Sequence, residues 1–107
     1  MDKINEYLRR TRNVVMVNGN TYERPRPWIV CVDGFKISVQ AGEYLYCSPR
    51  INWAEEYDTV ELGFPSEEGE LIVDYAEDPN DLTETVYGYV PIDIVNKLIE
   101  KHGGIME

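Results

Sequence analysis

The sequence predicts an α+β fold: an antiparallel sheet of five to seven strands, with a short helix at the N-terminal end of the chain and another at the C-terminal end. Three observations carry that expectation. From Val14 to Val90 the apolar residues come in short, β-branched or alternating runs, separated by glycine, proline and Asp-Gly turn signals. Only the opening and closing segments space their apolar residues at helical intervals. At 107 residues with 43% apolar content, the chain suits one modest core, so a single domain spanning 1–107 is expected.

The elements follow in chain order. Ile4, Tyr7 and Leu8 fall at i, i+3 and i+4 among charged neighbours, which predicts an amphipathic helix ending near Asn13. Val14 to Val17 is a β-branched run closed by Asn18-Gly19-Asn20, a strand and its turn. Across Tyr22 to Trp28, Pro25 and Pro27 alternate with Arg24 and Arg26, which reads as an extended connector because proline removes donors and blocks helix. Trp28 to Val32 and Phe35 to Gln40 flank Asp33-Gly34, predicting a hairpin with a two-residue type I′ turn. Strict alternation in its second strand sends Phe35, Ile37 and Val39 to the core.

Tyr44 to Cys47, Thr59 to Phe64 and Leu71 to Tyr75 are three further strand expectations. Thr83 to Val90 is another, with Val86, Gly88 and Val90 on one face and Tyr87 and Tyr89 on the other. Pro91 stops that strand and opens a helix whose Ile92, Val95, Leu98 and Ile99 form an apolar stripe. Lys101 and His102 complement the helix dipole, and Gly103-Gly104 supplies the cap.

Charge is segregated along the chain. Residues 1–53 hold eight Lys and Arg against five Asp and Glu, a balance of +3, whereas 54–107 hold two against fifteen, a balance of −13. Between Arg50 and Lys97 there is no cation at all, but there are thirteen carboxylates. Such a field repels nucleic acid and attracts basic protein surfaces, so direct nucleic-acid binding is not expected. Met1 to Arg12 lacks any apolar run, which implies neither a secretory signal nor a membrane span and points to the cytosol. In that reducing compartment Cys31 and Cys47 are expected to stay thiols rather than form a disulfide framework.

The acidic stretch has three readings: a solvated face, a metal site, or mimicry of a phosphate backbone. No twelve-residue calcium loop is present, so no metal is expected. Mimicry would place Glu55, Glu56, Asp58, Glu61, Glu67 and Glu68 against the basic groove of a nucleic-acid-binding protein. Tyr46-Cys47-Ser48-Pro49-Arg50 gathers a thiol, a hydroxyl and a guanidinium. Arg50 beside Cys47 would favour thiolate, but the sequence offers no general base, so no catalytic residue and no cofactor are assigned. Arg50 is better suited to gripping an anion, phosphate or carboxylate, and its rival role is an internal salt bridge. Of the twelve aromatic residues, most Trp and Phe are expected in the core. Tyr87 and Tyr89, facing away from the valines, would make a platform for stacking a base, or a subunit interface. His102, the single histidine, is explained by its place at a helix C-terminus.

Several strings stand out together: Asp33-Gly34-Phe35 with Ser38-Val39-Gln40-Ala41, Tyr46-Cys47-Ser48-Pro49-Arg50, Val60-Glu61-Leu62-Gly63-Phe64-Pro65-Ser66, Tyr75-Ala76-Glu77-Asp78, Thr85-Val86-Tyr87-Gly88-Tyr89-Val90-Pro91 and Lys101-His102-Gly103-Gly104. From about Trp28 to Ile105 the chain resembles a group of small, functionally uncharacterised accessory proteins of phages and prophages. The resemblance implies a phage accessory protein acting in the host bacterial cytosol, a class in which small folds counter bacterial immunity. Two functions then compete. In one, the protein is a sponge for a nucleotide immune signal, with Arg50, Tyr46, Ser48, Tyr87 and Tyr89 holding the ligand and strand edges building a homo-oligomer. In the other, it is an acidic inhibitor that blocks a basic host defence protein such as a nuclease. A thiol-dependent enzyme at Cys47 is a third possibility. The polar motifs favour a pocket, and the charge favours inhibition.

Overall fold

A computed structural model describes residues 3–106 of the chain. The ends of the segment 1–12 and of the domain 1–107, namely Met1, Asp2 and Glu107, lie outside the described residues. Two helices and six antiparallel strands are arranged as α1 (Lys3–Arg10), β1 (Asn13–Val17), β2 (Asn20–Arg24), β3 (Ile29–Val30), β4 (Lys36–Gln40), β5 (Thr59–Gly63), β6 (Val86–Pro91) and α2 (Ile92–Lys101). The α+β class is as expected, but the strands form two sheets, β1-β2 and β3-β4-β5-β6, instead of one.

The four-stranded sheet buries one face. Ile37 and Val39 of β4, Val60 and Leu62 of β5, and Tyr87 and Val90 of β6 enter a core shared with Ile4, Tyr7 and Leu8 of α1 and Val95, Leu98 and Ile99 of α2. The alternation read from Phe35 to Val39 is therefore the register the sheet uses. At the chain's end, the Gly104 N–H donates to the Ile99 carbonyl and the Gly103 N–H to that of Glu100, 3.0 Å each. Those two bonds make a Schellman cap on α2. Gly103 is required there twice over: its φ is +89°, and a Cβ would lie 3.0 Å from the Cβ of Val32.

Five expectations are corrected. Residues 20–24 are a strand, not connector, because the Asn18-Gly19 turn, with φ of 52° and 79°, folds them back onto β1. The Asp33-Gly34 hairpin closes through a three-residue loop: the Gly34 N–H bonds the Cys31 carbonyl, the Cys31 N–H bonds Phe35, and Gly34 alone takes positive φ. Tyr44 to Cys47 is irregular, and only Ser48 makes an isolated bridge, to Thr59. Leu71 to Tyr75 holds a 3₁₀ turn at Val73–Tyr75, with Ile72 as its buried anchor, so the apolar run is spent on one side chain and not on a ladder. Trp28, Trp53 and Phe64 are exposed, leaving Phe35 as the one core residue among the Trp and Phe of the chain.

Buried polar groups tie the elements together. Arg26 donates to the Leu8 carbonyl at the end of α1 and to the Ala41 carbonyl after β4, and pairs with Glu23 at 3.0 Å. The Gln40 amide clamps the backbone of the same residue, accepting from the Arg26 N–H and donating to its carbonyl. The Asn5 side chain does the same for Tyr57. His102 stacks on Phe35 at 4.0 Å between ring centroids, and its Nδ1 lies 2.7 Å from Asp33 Oδ2.

Asp33 links the β3-β4 hairpin to the end of α2, and its carboxyl is held below the ordinary value of 3.8, first by the Phe35 N–H it accepts and then by His102. A depressed folded value means that its stabilisation is complete above the ordinary carboxylate range and is lost as pH falls through the lowered one. Thermal melts taken from pH 5 downward should therefore show Asp33→Asn melting below the unsubstituted protein at the upper end, with the gap closing below pH 3.8.

Candidate functional site

The ladder between β5 and β6 contains one irregularity, and the site is built on it. Val60 pairs with Val90 and Leu62 with Tyr87, so two steps along β5 are matched by three along β6. Gly88 and Tyr89 together oppose Glu61, which is a β-bulge. Tyr89 takes φ of 53°, a left-handed conformation costing an L-residue about 1–2 kcal/mol. The extra residue resets the phase of the strand. Tyr87 points inward with no exposed surface, Val90 also points inward, and Tyr89 stands 48% exposed.

This overturns the shared face expected for Tyr87 and Tyr89. Tyr87 is a core residue whose hydroxyl donates to the Leu82 carbonyl, and it offers nothing to a ligand. The signal that period-two reasoning missed is Gly88, a strand glycine, which is a recognised mark of a bulge.

The bulge positions a second aromatic ring. The Tyr89 N–H donates to the Tyr46 carbonyl at 3.0 Å, and the Tyr46 N–H donates to Glu61 Oε1 at 3.1 Å. Gly88 leaves room for this approach, since a Cβ there would lie 3.2 Å from that of Tyr46. Tyr46 and Tyr89 thus sit with ring centroids 6.0 Å apart, tilted by 43°. The Arg50 guanidinium caps the Tyr46 ring at 5.6 Å, a cation–π contact. No carboxylate lies within 4.0 Å of Arg50 among the described residues, so the internal salt bridge weighed as its rival role is not formed. Ser48 is turned away into a 2.8 Å hydroxyl pair with Thr59.

Of the residues assigned to a ligand, the fold therefore gathers Tyr46, Arg50 and Tyr89 at one exposed spot. Glu61, assigned to the acidic set, proves to be the group that fixes Tyr46. Glu55 and Glu56 follow carbonyls bonded by arginines of the basic half, Arg12 to Ala54 and Arg9 to Glu55, so folding brings the two charge blocks together here. Glu67 lies 3.8 Å from His102. The described residues contain no group of three or more His, Cys, Asp or Glu placed to hold a metal ion. No helix of the described chain is long and apolar enough to cross a membrane.

Cys47, next to Tyr46 in the chain, is buried and exchanges weak hydrogen bonds with Gly42 at 3.3 Å. Burial pushes its thiol above the ordinary range, and the opposing pull of Arg50 does not reverse the shift. Cys31, also fully buried, is pushed up to about 11 by desolvation and by the Asp33 charge. Comparison with protein-family models, curated proteins and solved structures gives no match to this chain.

Both thiols should stay protonated and closed to reagent at pH 8. Titration of the native protein with a disulfide dye is expected to release negligible colour, with both cysteines reacting only after denaturation. Rapid labelling of one native thiol would show that Cys47 is reachable and ionised.

Proposed function

We propose that the protein is a phage-type counter-defence binding protein that sequesters a nucleotide immune signal in the host bacterial cytosol. The observation that carries this reading is the exposed triplet of Tyr46, Tyr89 and Arg50, in which a guanidinium with no carboxylate partner among the described residues stands beside two aromatic faces. A nucleotide presents the matching groups, a π-face for stacking and a phosphate for a planar cationic fork. Stacking of one base on an aromatic ring is worth about 1–3 kcal/mol. Bulge strain at Tyr89 fits the same reading, because backbone conformations of this kind cluster at ligand-binding sites.

The rival reading, an acidic inhibitor of a basic host defence protein, is supported by the exposure of every carboxylate from Glu55 to Asp93 except Glu61. The bonds of Arg9 and Arg12 to the backbone beside Glu55 and Glu56, and the approach of His102 to Glu67, weigh against it.

Mixing with a panel of cyclic and linear nucleotides separates the two. A sponge held at about one hundred times Kd gains about 2.7 kcal/mol, a rise in melting temperature of roughly 10 °C for a chain this size. Arg50→Ala and Tyr89→Ala should abolish that rise while leaving the unliganded melt in place. Tyr87→Phe should keep the rise but lower both melts, having lost about 1 kcal/mol of hydrogen bonding. A panel producing no rise removes the sponge reading.

The inhibitor reading makes its own demand. Reversing Glu55, Glu56 and Asp58 to Lys should weaken capture of a basic nuclease, and added salt should do the same. Capture indifferent to both would exclude mimicry.

A further inference from the structure

The β1-β2 hairpin holds none of the residues assigned to a ligand or to the acidic set, and its chemistry is unusual for the surface of a chain with net charge −10. Its two strands pair only with each other. Val14, Met16, Val17 and Tyr22 are 46%, 75%, 51% and 53% exposed, so apolar side chains lie open on both faces of the ribbon. An isolated two-stranded hairpin is marginal in water. Proteins that keep such an edge to themselves protect it with charge, proline or a bulge. β1, Asn-Val-Val-Met-Val, has none of these.

The open backbone can be located. The type I′ turn closes on the Val17–Asn20 pair, so Val17, Val15 and Asn13 turn their backbone groups toward β2. Val14 and Met16 turn theirs outward, and no hydrogen bond joins residues 13–17 to any element except β2 among the described residues. The β2 side is different: Asn20, Thr21, Tyr22 and Glu23 line a cleft whose other wall is Glu43, Tyr44 and Asn52 of the body.

We propose that the free edge of β1 is a docking strand for a second copy of this chain, pairing antiparallel with the same strand of that copy about a two-fold axis at Val15. The occupant is chosen by elimination within the molecule. The outer edge of β3 is closed by the tail, with the Met106 N–H on the Val30 carbonyl, the Val32 N–H on that of Gly104 and Cys31 bridged to Ile105. The outer edge of β6 is closed by the Tyr46 carbonyl and by residues 76 and 77. A second copy therefore has one open described edge to offer on its unobstructed side, its own β1.

Charge permits the match. With Val15 on the axis, Val14 faces Met16 of the other copy, Asn13 faces Val17 and Arg12 faces Asn18, so no like charges meet across the seam. Four backbone hydrogen bonds form, two from each Val14–Met16 pair, and the ribbon becomes a four-stranded sheet. The inference uses none of Tyr46, Arg50 or Tyr89, so it stands or falls separately from nucleotide binding.

Sedimentation velocity from micromolar to millimolar protein tests it. The unsubstituted chain should sediment as a dimer at the upper end. Met16→Pro removes one outward donor without touching the β1-β2 ladder, and Met16→Lys places like charges beside the seam. Each should weaken dimerisation by about tenfold or more, with an unchanged circular dichroism spectrum. Thr21→Pro, on the opposite edge, should leave the dimer intact. Val15→Cys should yield a disulfide-linked dimer on mild oxidation, since residues facing each other in a non-hydrogen-bonded pair stand about 4.5 Å apart, inside the span a disulfide bridges. Buried Cys31 and Cys47 would not compete. A monomer throughout the range, or a dimer that survives both Met16 substitutions, or one broken by Thr21→Pro instead, overturns the proposal.

Discussion

One buried guanidinium determines how the parts of this protein meet. Arg26 carries the carbonyls of Leu8 and Ala41 and the carboxylate of Glu23, so a helix end, a strand end and the base of the hairpin converge on a single side chain. Its backbone is held in turn by Gln40. Breaking such a buried pair by removing one partner costs about 3–5 kcal/mol, a large share of the roughly 5–15 kcal/mol that stabilises a domain. Wherever the hairpin points, it does so because Arg26 fixes its root.

That dependence explains which parts of the fold were legible in the sequence. Period-two alternation was a faithful guide where a strand has regular neighbours on both sides, as with Ile37 and Val39 in β4, which lies between β3 and β5. Helical spacing gave α2 down to its glycine cap, because caps are local chemistry. Strand β2 was hidden because its partner is nearby while its signal, Asn-Thr-Tyr-Glu-Arg, looks like solvent on every face. Arg26, expected only as part of an extended connector, proved to be buried with the Glu23 side chain, since a pair separated by three residues reveals its burial only once the body closes over it. Leu71 to Tyr75 misled in the opposite direction: an apolar run short enough for a strand is equally able to drop one isoleucine into a core and turn away.

The exposed triplet of Tyr46, Arg50 and Tyr89 was legible by composition and not by placement. Tyr46 and Arg50 were found because aromatic and guanidinium groups lie close in the chain. The choice between Tyr87 and Tyr89 could not be made by alternation, because a bulge changes which parity faces the core. Glu61 was grouped with the acidic residues on charge alone, yet what it does is accept the Tyr46 N–H. Arg9 and Arg12 come from the opening segment to bond the backbone carbonyls of Glu55 and Ala54, and His102 lies 3.8 Å from Glu67, so basic residues of distant elements stand beside this acidic stretch.

The bulge in β6 has a regular alternative. A version lacking Gly88 would pair residue for residue with β5, keep Tyr87 and Val90 inside, leave Tyr89 outside and relieve its left-handed backbone. Regular pairing was thus one codon away, and the extra residue keeps a gap against which Tyr46 rests 3.2 Å from where a methyl group would be. The bulge thus exchanges one regular rung of the ladder for a geometry in which the Tyr46 and Tyr89 rings stand side by side, 6.0 Å apart.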